Sequence, residues 1–232
     1  MDFRDFTIKL ALGELSNTAL VDETDQTSIR QGHRAKVLTA LNQGLKALHS
    51  RFILIQKEIL IQGSIGVSHY FIRKEFATTN DAVVPFKYLL DSAANPFVED
   101  IVKILQVYNS MGDAQYLNDI EQEDSLFTSE FDCLQIPRNR GQIYSVIYQA
   151  MHPEMIGTDP CQEIHLPHYL EEALISYVAG KVFQAQLGEE STMKGQELMA
   201  NYTNICAEIE MRDLVSNSVT TTNTKLEMRG FI

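Results

Sequence analysis

Four side chains on one short stretch, His152, Cys161, His165 and His168, are the residues of this chain best suited by type to hold a metal or move a proton. Imidazole and thiolate are the usual zinc ligands, and a structural site gathers four of them tetrahedrally. The spacing here, C-x3-H-x2-H, matches no standard zinc pattern. Histidines beside prolines in a loop read first as polar surface, so no metal is expected; a small metal-dependent hydrolase on residues 152–168 stands as the enzymatic alternative. The carboxylate pairs Glu171-Glu172 and Glu189-Glu190 are adjacent in sequence, so on a helix their side chains diverge and serve helix ends instead of acid–base work. The GSIG at 63–66 lacks the Lys-Ser/Thr of a phosphate loop, and neither G-x-S-x-G nor H-E-x-x-H occurs. Cys206 follows Ile205 on an apolar helical stripe and reads as core. Tyr70-Phe71-Ile72-Arg73-Lys74 mixes bases with aromatics as a nucleic-acid strand does, but it stands alone in an acidic protein. No catalytic residue and no cofactor are expected.

The elements that carry these residues follow from periodicity. Phe3, Phe6, Leu10 and Leu12 suggest a short amphipathic helix over 3–15. Asp22, Thr24 and Asp25 are of the types that cap a following helix. In that helix Leu38, Leu41, Leu45, Leu48 and Phe52 form one stripe, weakened by Gly32 and Gly44 at about 1 kcal/mol each. From residue 53 the period becomes two: FILIQKEILIQ reads as strand, turn or bulge, then strand, and 68–72 as another. Residues 101–108 and 114–117 read as a hairpin around Ser110-Met111-Gly112-Asp113. An acidic loop, DIEQED at 119–124, precedes strands over 126–133 and 142–150. Pro167 then suits a helix's first turn, with Glu171 and Glu172 at its positive end and Gly188 as its stop. A last helix carries Leu198, Tyr202, Ile205 and Ile209 on one face.

The fold expected is therefore α+β: a helical bundle formed by N- and C-terminal helices, with an inserted β-rich domain and an extended C-terminal arm. Its parts are residues 1–52 and 151–215 for the bundle, 53–150 for the β-rich domain and 216–232 for the arm. Residues 216–232 are rich in Ser, Thr and Asn and finish with Lys225, Leu226, Met228, Arg229, Phe231 and Ile232. An apolar end on a polar run suits an arm that docks on a partner, against the plainer reading of a frayed terminus.

Composition bounds the function. Of 232 residues, 44% are hydrophobic and 22% charged, ordinary for a globular protein. No run approaches the roughly 18 apolar residues of a membrane helix, and the first residues do not form a secretory signal. Three widely spaced cysteines argue against a disulfide framework and fit a reducing cytoplasm. With 31 acids against 19 Lys and Arg, the net charge of −12 opposes wrapping around nucleic acid, though not its passage nearby.

Several segments in order resemble the head-to-tail adaptor proteins of tailed bacteriophages, the short-tailed type above all. They are Val37-Leu38-Thr39-Ala40-Leu41-Asn42, VKILQVYNSMG at 102–112, QIPRNRGQIYSVIYQAMHP at 135–153, HLPHYLEEALISYVAGKVF at 165–183, and the antiparallel helix through Tyr202. The resemblance implies a non-enzymatic virion protein, assembled in the host cytoplasm and placed at the neck between capsid and tail. It implies a homo-oligomeric ring, usually of twelve copies, beneath the portal protein. The ring extends the channel for passing genomic DNA, which it does not read by sequence, and offers a platform to the tail nozzle or tube protein. By position alone, the six residues Lys225 to Ile232 named above become candidates for portal binding. A tail- or fibre-attachment binding module is a further alternative, beside the metal-dependent hydrolase of a different class.

Overall fold

A computed structural model describes residues 1–138, 141–157, 159–212 and 214–215. The expected arm, with Lys225, Leu226, Met228, Arg229, Phe231 and Ile232, lies outside the described residues. The fold is α+β, with two compact units: one combines Met1–Ile55 with Met151–Val215, and the other holds Gln56–Ala150.

The first unit is helical. Helix α1 (Phe3–Leu12) is capped by Asp2, whose carboxylate accepts from the Asp5 N–H at 2.7 Å. It buries Phe6, Leu10 and Ala11, and Leu15 follows into the core. Leu12, expected on this face, is 55% exposed, because two residues beyond Leu10 a helix has turned to its far side. Helix α2 (Gln31–Arg51) buries the expected Leu41, Leu45 and Leu48, joined by Val37, Ala40, Gly44 and His49. Its start is not capped by Asp22, Thr24 or Asp25. The two aspartates instead accept from the N–H groups of Thr24 and Thr27 and close turns in the preceding loop, which a Val21–Ile29 bridge folds back on itself.

Pro167 stands just before a 3-10 turn (His168–Leu170) that leads into α3 (Glu171–Gln184). Helix α3 ends without Gly188, which instead turns the chain, with φ of +132°, immediately before α4 (Glu189–Met211). Contacts between the two helices run in opposite directions: Gly180 meets Gly195, Tyr177 meets Tyr202 edge to face with ring centroids 5.1 Å apart, and Ser176 Oγ accepts from Asn201 at 3.1 Å. The pair is an antiparallel hairpin whose buried face includes Leu174, Val178, Leu198, Tyr202, Cys206 and Ile209.

The second unit is β-rich. Its main sheet is antiparallel, in the order β3 (Leu89–Leu90), β1 (Gln56–Gln62), β7 (Ile143–Ala150), β4 (Ile101–Tyr108). Ile59 and Ile61 of β1 alternate with exposed Glu58 and Leu60, while Tyr144, Val146 and Tyr148 of β7 turn inward. The two strands expected within 53–62 are one, since Phe52 and Leu54 belong to the helical core and alternation begins only at Gln56. The hairpin expected at 101–117 is reduced to a short return: β4 pairs along its length with β7, and a Tyr108–Ala114 bridge with bonds from Asn109 to Asp113 and from Gln115 to Val107 holds the chain after the turn. A smaller sheet orders β2 (His69–Phe71), β6 (Cys133–Gln135) and β5 (Phe127–Glu130). The Tyr88 hydroxyl holds β2 from outside that sheet, accepting from the Phe71 N–H at 2.8 Å and donating to its carbonyl at 2.9 Å. Asp91 gathers the N–H groups of Thr79 and Phe97 and both threonine hydroxyls of 78 and 79. Against the upward push of burial, those bonds carry its pKa down to about 2.

The α3–α4 contact is close enough to test. A Cβ at Gly195 would stand 3.0 Å from the Gly180 carbonyl and the Gln184 nitrogen. Gly195→Ala should therefore destabilise, the roughly 1–3 kcal/mol of overpacking exceeding about 1 kcal/mol of helix propensity. At Gly32 a Cβ meets nothing, and Gly32→Ala should stabilise by about 0.5–1 kcal/mol. Urea midpoints at constant slope read both changes; a stabilised Gly195→Ala would show that the helices are not in contact there.

Candidate functional site

The loop that brings the chain back into the helical unit carries the histidines. Asn42, in the middle of the α2 stripe, fixes its start: its amide donates to the Met155 carbonyl and accepts from the Met155 N–H, both at 2.9 Å. A side-chain amide can satisfy a backbone in this two-point way because it presents donor and acceptor side by side. Met155 is buried beneath this bond pair. Ahead of it, His152 is buried, its Nδ1 donating to the Pro153 carbonyl at 2.6 Å and its Nε2 accepting from the His165 N–H at 3.0 Å. Those two partners assign one neutral tautomer. His49, fully buried on α2, meets the His152 ring edge-on at 5.2 Å, and the His165 ring lies 5.7 Å from that of His152, tilted to it.

The structure thus brings His152 and His165 together and adds His49. His168 points elsewhere, its Nδ1 2.8 Å from Glu171 Oε1, and Cys161 is exposed. Among the described residues no group of three or more His, Cys, Asp or Glu is placed to hold a metal ion. Both ring nitrogens of His152 are engaged in backbone bonds, so the ring acts as a structural bridge across the loop. Burial lowers its pKa below the ordinary 6.5; His165 acts in the same direction and the bond to Pro153 against it.

The carboxylate pairs divide as well. Glu171 accepts from Lys9 at 2.6 Å and from His168; despite partial burial, these bonds lower its pKa. It ties α3 to α1, while Glu172, Glu189 and Glu190 sit in first turns where a carboxylate favours the helix dipole. Cys206 is fully buried and burial pushes its thiol up, the reverse of what a nucleophile needs. In the basic–aromatic stretch, Tyr70 and Ile72 are fully buried. Arg73 lies 4.6 Å over the Phe71 ring and donates to Asp132 at 2.7 Å, so that aromatic face is already covered. Between α1, α2, the loop at 25–29 and residues Ile156, Gly157 and Pro160 runs a groove of about 470 Å3. Phe3, Ile8, Leu38 and Ile156 supply its apolar part and Arg4, Arg34 and Asp25 its charges.

Asn42 and His49 carry more of this arrangement than periodicity assigned them. The signal was a polar residue on or beside an apolar helical stripe, which is costly unless it is bonded. Compared with known proteins, the chain matches no family model and no curated protein sequence. No described helix is long and apolar enough to cross a membrane.

Two measurements probe the loop. Asn42→Ala removes two part-buried hydrogen bonds and should cost about 2 kcal/mol in urea unfolding. For His152, a folded pKa below the unfolded one means the unfolded chain binds the extra proton. Its contribution to stability is complete above 6.5 and declines as pH falls toward the folded pKa. The melting temperature should drop from about pH 7.5 to about pH 5.5, and less so in His152→Gln, which keeps one donor and one acceptor. Equal drops in both proteins would remove His152 from the pH response.

Proposed function

We propose that the protein is a virion structural component, a head-to-tail adaptor of a short-tailed phage. In this reading copies of it close into a ring at the neck, beneath the portal protein. The ring lengthens the channel through which the genome leaves and gives the tail its attachment platform. One observation carries the reading: segments on either side of a β-rich insertion, which resemble the adaptors in sequence and order, lie on helices of one compact unit. Val37 to Asn42 occupy α2, residues 165–183 the turn and helix of α3, and α4 folds back on α3 through Tyr202. Strand β7, from the segment 135–153, sits between β1 and β4 in the main sheet.

The ring follows from ordinary association physics. A head-to-tail contact between unlike surfaces generates a closed ring when its rotation closes. Each copy meets ordering costs that one small contact does not offset, so free chains stay monomeric and assemble on the portal template. The acid excess suits a wall past which DNA slides without adhering. A second reading, a binding module for tail or fibre, draws on the β unit, where Ile65, Met111, Ile120 and Phe131 are all exposed.

Removal of residues 217–232 tests the portal contact. The shortened chain should melt as the full chain does yet no longer co-purify with the portal protein; retained binding would take the portal contact away from the arm. Particles made without the protein should fill with DNA but mount no tail, and tailed particles would end the adaptor reading.

A further inference from the structure

The acidic loop of the β unit is built as a rigid knob with an apolar tip. Ile120 is 90% exposed, between Asp119 and Glu121. Beneath it Asn118 takes a left-handed backbone, φ +57°, and bonds Thr128 through both its carbonyl and its amide. The Asp119 N–H donates to Ser125 Oγ at 3.0 Å, the Glu121 N–H to Asp119 Oδ1 at 3.0 Å, and the Ser125 N–H to the Gln122 carbonyl at 3.1 Å. Arg138 takes Glu123 at 2.9 Å, with Asp124 at 3.8 Å, so the charge left beside Ile120 is that of Asp119 and Glu121. A loop so bonded holds an isoleucine in water without local cover, and little ordering cost remains to be met on binding.

The helical unit carries a groove of the opposite character, about 610 Å3 between the N-terminal half of α2, the C-terminal half of α3 and the loop at 17–20. Val37, Val182 and Phe183 form part of its apolar lining, and His33, Lys36 and Lys181 are its bases. Lys181 lies 5.6 Å from the Tyr177 ring, and neither lysine forms an ion pair among the described residues. Among the described residues no Asp or Glu lines this groove, whereas the groove at Arg4 and Arg34 includes Asp25. In a chain of net charge −12 it is a basic concavity with an apolar lining, matched in sign and polarity to the knob.

We propose that the Ile120 knob of one copy seats in the Lys36–Lys181 groove of a second copy. Knob and groove are unlike surfaces of one chain, so the contact is heterologous and repeats around a ring. It rests on the ring reading for closure. One isoleucine and two carboxylates bury far less than the roughly 1,200 Å2 of a stable interface, so this contact sets register within a larger one and is populated alone only at high concentration.

Disulfide trapping between differently labelled copies reads it. In a Cys161→Ser background, where Cys133 and Cys206 are buried, one chain carries Ile120→Cys and the other Ala185→Cys in the groove lining. Mixed on the order of 1 mM under mild oxidation, they should give a covalent heterodimer at twice the 26.3 kDa chain mass. Lys36→Glu with Lys181→Glu in the groove chain should lower its yield about tenfold, and Glu121→Lys in the knob chain should restore part of it. Melting curves of the charge variants establish that they fold. Absence of the heterodimer, a yield indifferent to the groove charges, or a chain bearing both cysteines that closes on itself at dilution would each overturn the proposal. Assembly on the portal without the cross-link would reject this contact alone, and the cross-link without portal assembly would reject the adaptor reading alone.

Discussion

Backbone closeness at three glycines sets the helical unit. At Gly44 of α2 a Cβ would stand 2.8 Å from the Leu174 side chain and 3.0 Å from that of Tyr177. At Gly180 it would meet Met199 and the Gly195 carbonyl, and at Gly195 the backbone of α3. Without side chains there, α2, α3 and α4 come near enough for Leu41, Leu174, Val178 and Cys206 to exclude water completely. Each glycine weakens its own helix by about 1 kcal/mol, and the apolar burial it allows offsets that loss, since a fully buried leucine or valine contributes about 1.5–3 kcal/mol. Helix stability in this unit therefore belongs to the contact, not to any one helix.

That arrangement requires the chain, after its excursion into strands, to return to the same core. The return is fixed by hydrogen bonds with direction, which an apolar contact lacks. Asn42 takes both backbone groups of Met155, His152 bridges Pro153 and His165, and a short bridge pairs Asp2 with Glu163. Arg51 closes the far end of α2 on α4 with two bonds to Glu210, at 2.7 and 2.8 Å. The His152 imidazole is in this sense an extension of the backbone network, and its burial makes it sensitive to acid because a charge there has lost its water.

The sequence was readable where one residue type answers one constraint. The α2 stripe, the acids in the first turn of α3, the alternation of β7 and the burial of Cys206 all follow from period and polarity. Readings failed where a residue type answers two. Gly44 looked like a weak point and is a contact; Gly188 looked like a stop and is a turn before the next helix. Asp22 and Asp25 have the chemistry of helix caps but spend it on turns within their own loop. Residues 53–55 have the composition of a strand while Phe52 and Leu54 are drawn into the helical core. Only tertiary placement separates these outcomes. For the candidate site, the sequence showed the histidines but not their company: His49 is a hundred residues from His152, and no spacing rule links them.

Charge placement connects the structure to the proposed role. Lys9, Arg30, Arg51, Lys57, Arg73, Arg138, Lys194 and Arg212 each face a carboxylate within 4.0 Å. The exposed pairs among them, such as Arg30 with Glu23, contribute little to stability. Their stronger consequence is to occupy the cations that would otherwise neutralise phosphates, leaving the acid excess to define the field outside. Lys36 and Lys181 fall outside this set and lie together in one groove, as Arg4 and Arg34 do in another, while Lys46, Lys74, Lys87 and Lys103 also fall outside it. In the proposed role, a net charge of −12 opposes the binding of a polyanion, and the Lys36–Lys181 groove would take an acidic side chain of a second copy. That combination is consistent with the proposed ring subunit, which would join its neighbours beside DNA without holding it.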